Sequence, residues 1–262
     1  MSVVSTQTSW VAHIMGMPIS IHLRGAGVAP LRQSTVDEVF AELRDVDRIF
    51  STYKPDSDIS RLRREEATVA DCDPLVDEVL ELSEQARLAT GGYFDAWQQG
   101  PDGVLRLDPS GLVKGWAVER AATRLARLGG DDYYLNAGGD IALGCAGTSS
   151  PDWRIGIEDP DHPDLLLGVL GLRAGGVATS GTARRGAHII DPTTGKAATA
   201  LRSVTVVGPS VLWADVYATA ALARGTDALT WLTWPDGYEA LAVSTAGSRS
   251  YTKGMRGLLQ AS

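Results

Sequence analysis

Cysteine is scarce in this 262-residue chain: Cys72 and Cys145 stand far apart, and no C-x-x-C pair exists. That excludes a zinc ribbon and a redox dithiol, and two reduced, buried thiols are expected. Basic charge is in deficit too. Lys and Arg number 24 against 32 Asp and Glu, a formal net charge of −8. A protein built to hold nucleic acid shows a basic excess, so no nucleic-acid partner is expected. No run of about 18 apolar residues occurs, so no membrane-spanning helix is expected. The start, MSVVSTQTSW, has neither a basic n-region nor an apolar h-region. No signal peptide, lipobox or membrane anchor is therefore expected, and the cytoplasm is the default compartment. Familiar catalytic motifs are also missing. No G-x-G-x-x-G follows a strand, and neither H-E-x-x-H nor G-x-S-x-G occurs. Gly176 and Gly181 have P-loop spacing, but Thr182-Ala183 stands where Lys-Ser/Thr is required.

What remains is ordinary globular composition, 44% hydrophobic and 21% charged, with no repeat, linker or low-complexity tract. One domain over residues 1–262 is the expected organisation. Pro18 to Leu23 alternates apolar and polar and predicts a strand; His13 and His22 near it have no second ligand at metal spacing and are expected to be structural. Ser34 to Phe50 carries a helical stripe of Val36, Val39, Phe40, Leu43, Val46 and Ile49, with Ser34 and Asp37 as a short capping box. Asp73-Pro74 opens a second helix that Gly91-Gly92 ends. The stretch from Leu107 to Gly115 is expected to be a Gly-containing loop feeding a third helix, which Gly129-Gly130 closes; such a junction suits an anion, although plain loops look alike. From Tyr133 on, strands dominate, interrupted by a helix at Val211 to Ala223. Helices first and strands after predict an α+β fold.

Two places carry chemistry. Gly175 to Gly195 gathers glycines, the run Ala178-Thr179-Ser180-Gly181, two arginines, and His188-Ile189-Ile190-Asp191-Pro192. Glycine permits close backbone approach, hydroxyls and N–H groups hold phosphate oxygens, and arginine adds fixed charge. A β-hairpin with a polar tip would read the same way. Asp215 and Thr219, four apart on the helix predicted at Val211 to Ala223, share a face. A carboxylate and a hydroxyl suit Mg²⁺, or equally a local hydrogen bond on a solvated face.

Taken in order, these segments resemble the ApbE family of FAD:protein FMN transferases. The resemblance rests on Met15-Gly16, Ser51-Thr52-Tyr53, Phe94-Asp95, Asp108 to Gly115 ending in Lys-Gly, and Asn136 to Asp140 (NAGGD). It continues through Ala178 to Gly181, His188 to Pro192 with Thr194-Gly195, Ser203 to Val206, and Ala214-Asp215 with Thr219. It implies helices packed on a mainly antiparallel, T-fold-like sheet. It also implies Mg²⁺-dependent transfer of FMN from FAD onto a Thr or Ser of a target flavoprotein, with release of AMP. FAD hydrolysis to FMN and AMP, or FAD binding without turnover, are the alternatives.

Carried over residue by residue, the resemblance implies FAD contacts at Met15, Tyr53, Tyr93, Phe94, Asp95, Asp108, Lys114 and the Ile189 backbone. It implies Mg²⁺ ligands at Asp215, Thr219 and the Gly111 carbonyl. His188 and Asp215 are the implied catalytic residues, His188 as general base with Asp191 second. The chain departs from the family at Met17, where Thr is usual. It departs again after Phe94-Asp95, where a longer segment shrinks to AWQQG, and between Gly181 and His188, where TARRGA replaces a longer hairpin.

Overall fold

A computed structural model describes residues 6–99, 103–182, 189–231 and 235–260. Its frame is an antiparallel sheet of eight strands. These are β1 (Thr6–Ile14), β2 (Met17–Gly25), β3 (Asp131–Ala137), β4 (Asp140–Gly144), β5 (Ala174–Gly181), β6 (Leu201–Gly208), β7 (Glu239–Ser244) and β8 (Arg249–Tyr251). Each strand pairs with the next in the chain, so the sheet is a meander. Its helices enter as insertions: α1 (Ala29–Phe50), α2 (Pro74–Ala89) and α3 (Ser110–Ala126) between β2 and β3, and α4 (Val211–Arg224) between β6 and β7.

Period-two alternation explains how both faces are buried. On one face Ile19, Ile21 and Leu23 of β2, Leu135 of β3, Ala142 of β4, Ala178 of β5 and Val204 and Val206 of β6 join the helices in one core. On the other, Ile141 and Leu143 of β4, Val177 of β5 and Val207 of β6 pack on a small sheet of Trp153–Glu158, Leu166–Leu172 and Leu259–Gln260. Central strands covered on both sides carry no polar alternation, which is why β4 is buried at every residue. The same logic holds for α4, which is buried nearly all round because the sheet lies on one side and α3 on the other.

Several boundaries differ from expectation. The α1 helix begins at Ala29 with Pro30 in its first turn, so Ser34 is interior and caps nothing. Asp37 instead accepts a hydrogen bond from Gln33 Nε2, 2.9 Å away, one turn earlier. Pro supplies the helical φ, and its missing N–H costs nothing in the first turn. The second helix starts as read: the Asp73 carboxylate accepts from Leu75 N at 3.0 Å. Gly111 and Lys114 are not in a loop but in the first two turns of α3, which starts at Ser110; just ahead of it Asp108 Oδ1 accepts from Ser110 N at 3.1 Å. The β1 strand, Thr6–Ile14, is polar on its outer face and lacked a strong apolar pattern. Both cysteines are free, as expected, but half-buried rather than buried. Among the described residues, no helix is long and apolar enough to cross a membrane.

Candidate active site: a carboxylate pair under a large cavity

The strand registers bring five short sequence segments to one end of the sheet. The β2 strand starts there at Met17, β3 ends there at Ala137, β4 starts at Asp140, β5 ends at Gly181, and β6 pairs with it from Ser203. Two tight turns shape this end. Met15 and Gly16, with φ of 54° and 70°, form the two-residue connection between β1 and β2. Gly138 and Gly139, with φ of 62° and 108°, do the same between β3 and β4. Positive φ at both central residues is what a tight hairpin of right-twisted strands requires. The Asn136 side chain fastens the second turn by accepting from Gly139 N at 3.0 Å.

Above this end lies an open cavity of about 2030 Å³. Drug-sized ligands occupy pockets of roughly 300–1,000 Å³, so this cavity exceeds what one small molecule needs. Met15, Tyr53, Tyr93, Phe94, Asp95, Asp108, Gly111, Lys114, Ile189, Asp215 and Thr219 all line it. His188 lies outside the described residues.

The individual placements differ. Tyr53 is 96% exposed at the rim, whereas Phe94 is 4% exposed, with its ring beneath Gly111. The Tyr93 hydroxyl accepts from the Arg224 guanidinium, which also lies 5.0 Å from the Tyr93 ring centroid. Asp95 Oδ1 is held by Trp97 N at 2.8 Å. The Ile189 carbonyl accepts from Ala198 N at 2.8 Å, which fixes the backbone beside the cavity. Asp191 holds the next turn together, accepting from Thr193 N and Oγ1 and from Thr194 Oγ1 at 2.7 to 3.0 Å. Those bonds lower its pKa, so it is a weak base occupied with structure.

Beneath the lining, Asp140 and Asp215 form a buried carboxylate pair. Their side chains are 1% and 3% exposed. Lys114 reaches between them, its Nζ 2.7 Å from Asp140 Oδ2 and 3.6 Å from Asp215 Oδ1. The Lys114–Asp140 contact is an ion pair by distance: both Asp140 oxygens, and Asp215 Oδ2, lack an aligned hydrogen-bond partner. Burial, and then the Asp140 charge, push the Asp215 carboxyl well above the ordinary carboxylate range, while Lys114 pulls it back. One turn along α4, Thr219 Oγ1 shares a hydrogen bond of 2.9 Å with Ser180 Oγ of β5.

Orphaned, buried carboxylate oxygens are costly unless something else completes them. Two carboxylates, neighbouring hydroxyls and no soft ligand suit a hard divalent cation such as Mg²⁺, which takes few protein ligands and keeps water. Among the described residues no three His, Cys, Asp or Glu side chains gather at metal distance. A cation such as Mg²⁺ held there would take Asp215 and Thr219 as side-chain ligands and complete its shell from water, backbone or a bound phosphate. Asp140 and Ser180 were missed as site residues in the sequence. The signal available for Asp140 was an acid opening an otherwise apolar strand directly after a Gly-Gly turn.

Fold and site together define an antiparallel-sheet protein with a large open cavity over a buried pair of carboxyl groups. The ApbE family profile matches residues 15–101 and 97–242, and the chain belongs to that family. Among curated relatives, the FAD:protein FMN transferase of Haemophilus influenzae is 26% identical over 266 residues, covering 79% of this chain and 77% of its own length. That of Vibrio cholerae is 26% identical over 271 residues, covering 81% and 80%. The crystal structure of the ApbE protein of Thermotoga maritima has the same fold, with a TM-score of 0.84 at 18% identity over 98% of this chain and 100% of that one. The apo flavinyl transferase ApbE of Pseudomonas stutzeri gives 0.81 at 24% identity, over 99% and 100%.

Proposed function

We propose that residues 1–262 form a single Mg²⁺-dependent FAD:protein FMN transferase domain, the activity for which its curated relatives are named. The observation that carries the reading is the buried, incompletely partnered pair Asp140 and Asp215 beneath a cavity large enough for FAD and an acceptor segment. The substrate is FAD, and the partner is a flavoprotein presenting a Thr or Ser hydroxyl.

Transfer breaks a diphosphate and needs charge neutralisation and alignment more than covalent help. Asp215 and Thr219, with the Gly111 carbonyl, would hold Mg²⁺, which would supply charge neutralisation at the phosphates. Lys114 adds positive charge on the same side. Tyr53 and Phe94 offer aromatic surface to the isoalloxazine, and Met15, Tyr93, Asp95, Asp108 and the Ile189 backbone line its path. The acceptor oxygen attacks the phosphorus of the FMN half, the phosphorus–oxygen bond to AMP breaks, and the hydroxyl proton passes to His188.

The test is incubation with FAD, Mg²⁺ and a candidate acceptor, followed by intact mass. FMN mass on the acceptor with stoichiometric AMP is expected. Free FMN with no adduct would make the protein an FAD hydrolase instead. Asp215→Ala and excess EDTA should each abolish transfer while thermal unfolding stays cooperative. His188→Ala should lower the rate by about 10²-fold or more, as loss of a general base does, while FAD affinity stays within a few-fold.

A further inference from the structure

Asp140 has no part in the ligand set given above, yet its position is hard to explain structurally. It opens β4 straight after the Gly138-Gly139 turn and pairs in register with Ala137. The next residue on the same face, Ala142, belongs to the core under the helices. A carboxylate there is surrounded by apolar packing and almost wholly buried. Neither of its oxygens has a hydrogen-bond partner. A structural buried acid normally collects backbone N–H groups or an aligned guanidinium, as Asp131 does from Gly27 N and Arg32. Asp140 has the Lys114 ammonium, at 2.7 Å, and the Asp215 carboxyl beside it, and no backbone N–H.

That ammonium is shared. It also approaches Asp215 Oδ1, at 3.6 Å, so a single positive charge sits between two buried carboxyl groups. Without a cation the two cannot both be ionised at low cost, and burial with the Asp140 charge pushes the Asp215 carboxyl up accordingly. Lys114 lines the cavity and Asp140 does not, so the lysine covers Asp140 from the ligand side. Its side chain is 20% exposed and its four-carbon stem can turn outward. We infer that the Lys114 ammonium occupies the cation seat of this site, and that Asp140 is a carboxylate of that seat, uncovered when a divalent cation displaces the lysine. The seat is then never without a positive charge. The displaced ammonium moves into the cavity, on the side where an anionic ligand gains from it. This inference rests on reading the cavity as a divalent-cation site, and deepens that reading by adding Asp140 and an exchange step.

Mn²⁺ binding to the full chain, followed by electron paramagnetic resonance without FAD or acceptor, tests it. Lys114→Met removes the resident ammonium and should tighten Mn²⁺ at least tenfold over wild type. Adding Asp140→Asn to that variant should reverse the gain. Asp140→Asn alone, measured where its thermal unfolding remains cooperative, should weaken Mn²⁺ at least tenfold. Lys54→Met, which removes a cavity-lining lysine paired with Asp47, is the control for long-range charge and should change nothing. The thermal midpoint supplies a second readout: metal should raise it more in Lys114→Met than in wild type. Equal Mn²⁺ affinity in wild type and Lys114→Met, an unchanged Asp140→Asn, an equal gain from Lys54→Met, or no Mn²⁺ binding by any variant would each overturn the inference. Wild-type transfer alongside unaltered Mn²⁺ binding in the variants would reject the exchange while leaving the transferase reading standing. Tight Mn²⁺ binding without transfer would do the opposite.

Discussion

Glu119 and Val211 join the two helices that build the site. Glu119 Oε2, on α3, accepts a hydrogen bond from Val211 N at 2.8 Å, at the first residue of α4. The same oxygen takes Ser210 Oγ at 3.1 Å and Leu212 N at 3.4 Å. A carboxylate at a helix N-terminus satisfies orphan donors and favours the local dipole. Here it comes from the neighbouring helix, so it also ties α3, which carries Lys114, to the start of α4, which carries Asp215. Glu119→Ala should cost about 1–3 kcal/mol, because buried N–H groups lose their acceptor. Mg²⁺ requirement should rise in parallel. Glu119→Gln keeps one acceptor oxygen and should recover most of both. Urea denaturation and a Mg²⁺ titration of initial rate check this; an Ala variant with wild-type Mg²⁺ dependence would confine Glu119 to stability.

Gly115 is the contact point of the same two helices. A Cβ there would lie 3.0 Å from Leu212 Cα, 3.1 Å from Asp215 Cβ and 3.3 Å from Asp215 Oδ2. In an exposed helix Gly→Ala stabilises, but here it overpacks. Gly115→Ala should destabilise by about 1–3 kcal/mol and displace Asp215 from Lys114. Activity should fall further than stability alone accounts for, measured well below the unfolding temperature. A more stable, fully active variant would show that α3 and α4 separate at little cost.

A pH dependence follows from Asp131, away from the site. Its carboxylate accepts from Arg32 Nε at 2.8 Å and from Gly27 N at 3.0 Å. The Arg32 hydrogen bonds hold its pKa below the usual range. A depressed acid adds stability that is fully present above its unfolded pKa, about 3.9, and is lost as pH falls through the lower folded value. Asp131→Asn should therefore cost about 3–5 kcal/mol at pH 7, where it leaves Arg32 buried and uncompensated. The gap to wild type should narrow below about pH 4, as the wild-type carboxyl protonates. Denaturant midpoints of both proteins across pH 3 to 7 decide it; a constant gap would assign the loss to packing.

Tyr53 and Phe94 should separate binding from stability. Tyr53 is almost wholly exposed, so Tyr53→Ala should change stability by no more than about 0.5 kcal/mol. FAD affinity should weaken by about 0.5–1.5 kcal/mol through lost stacking. Phe94 is buried, so Phe94→Ala should cost about 3–5 kcal/mol of stability and report the core first. Flavin fluorescence quenching and thermal unfolding on the same preparations check both. Unchanged FAD affinity in Tyr53→Ala would move the ring to another wall.

Local pattern by itself determined a good deal. The apolar stripe from Val36 to Ile49, the Asp73-Pro74 start and the Gly91-Gly92 stop depend only on neighbours within a few residues, and the helices stand there. So does the shared face of Asp215 and Thr219 on α4. The Gly-Gly turn before Asp140 is likewise a backbone requirement visible in two letters. Gly111 sits in a first helical turn rather than a loop because the helix is already closed at Pro109, whose carbonyl accepts from Leu112 N and Val113 N. Tertiary structure decided the rest. That Asp140 is a buried partner of Lys114 and Asp215 depended on strand register and helix docking, which join residues far apart in sequence. Burial turns an unremarkable acid into a group that must have a cation. Burial belongs to the packed molecule, not to any local run of residues.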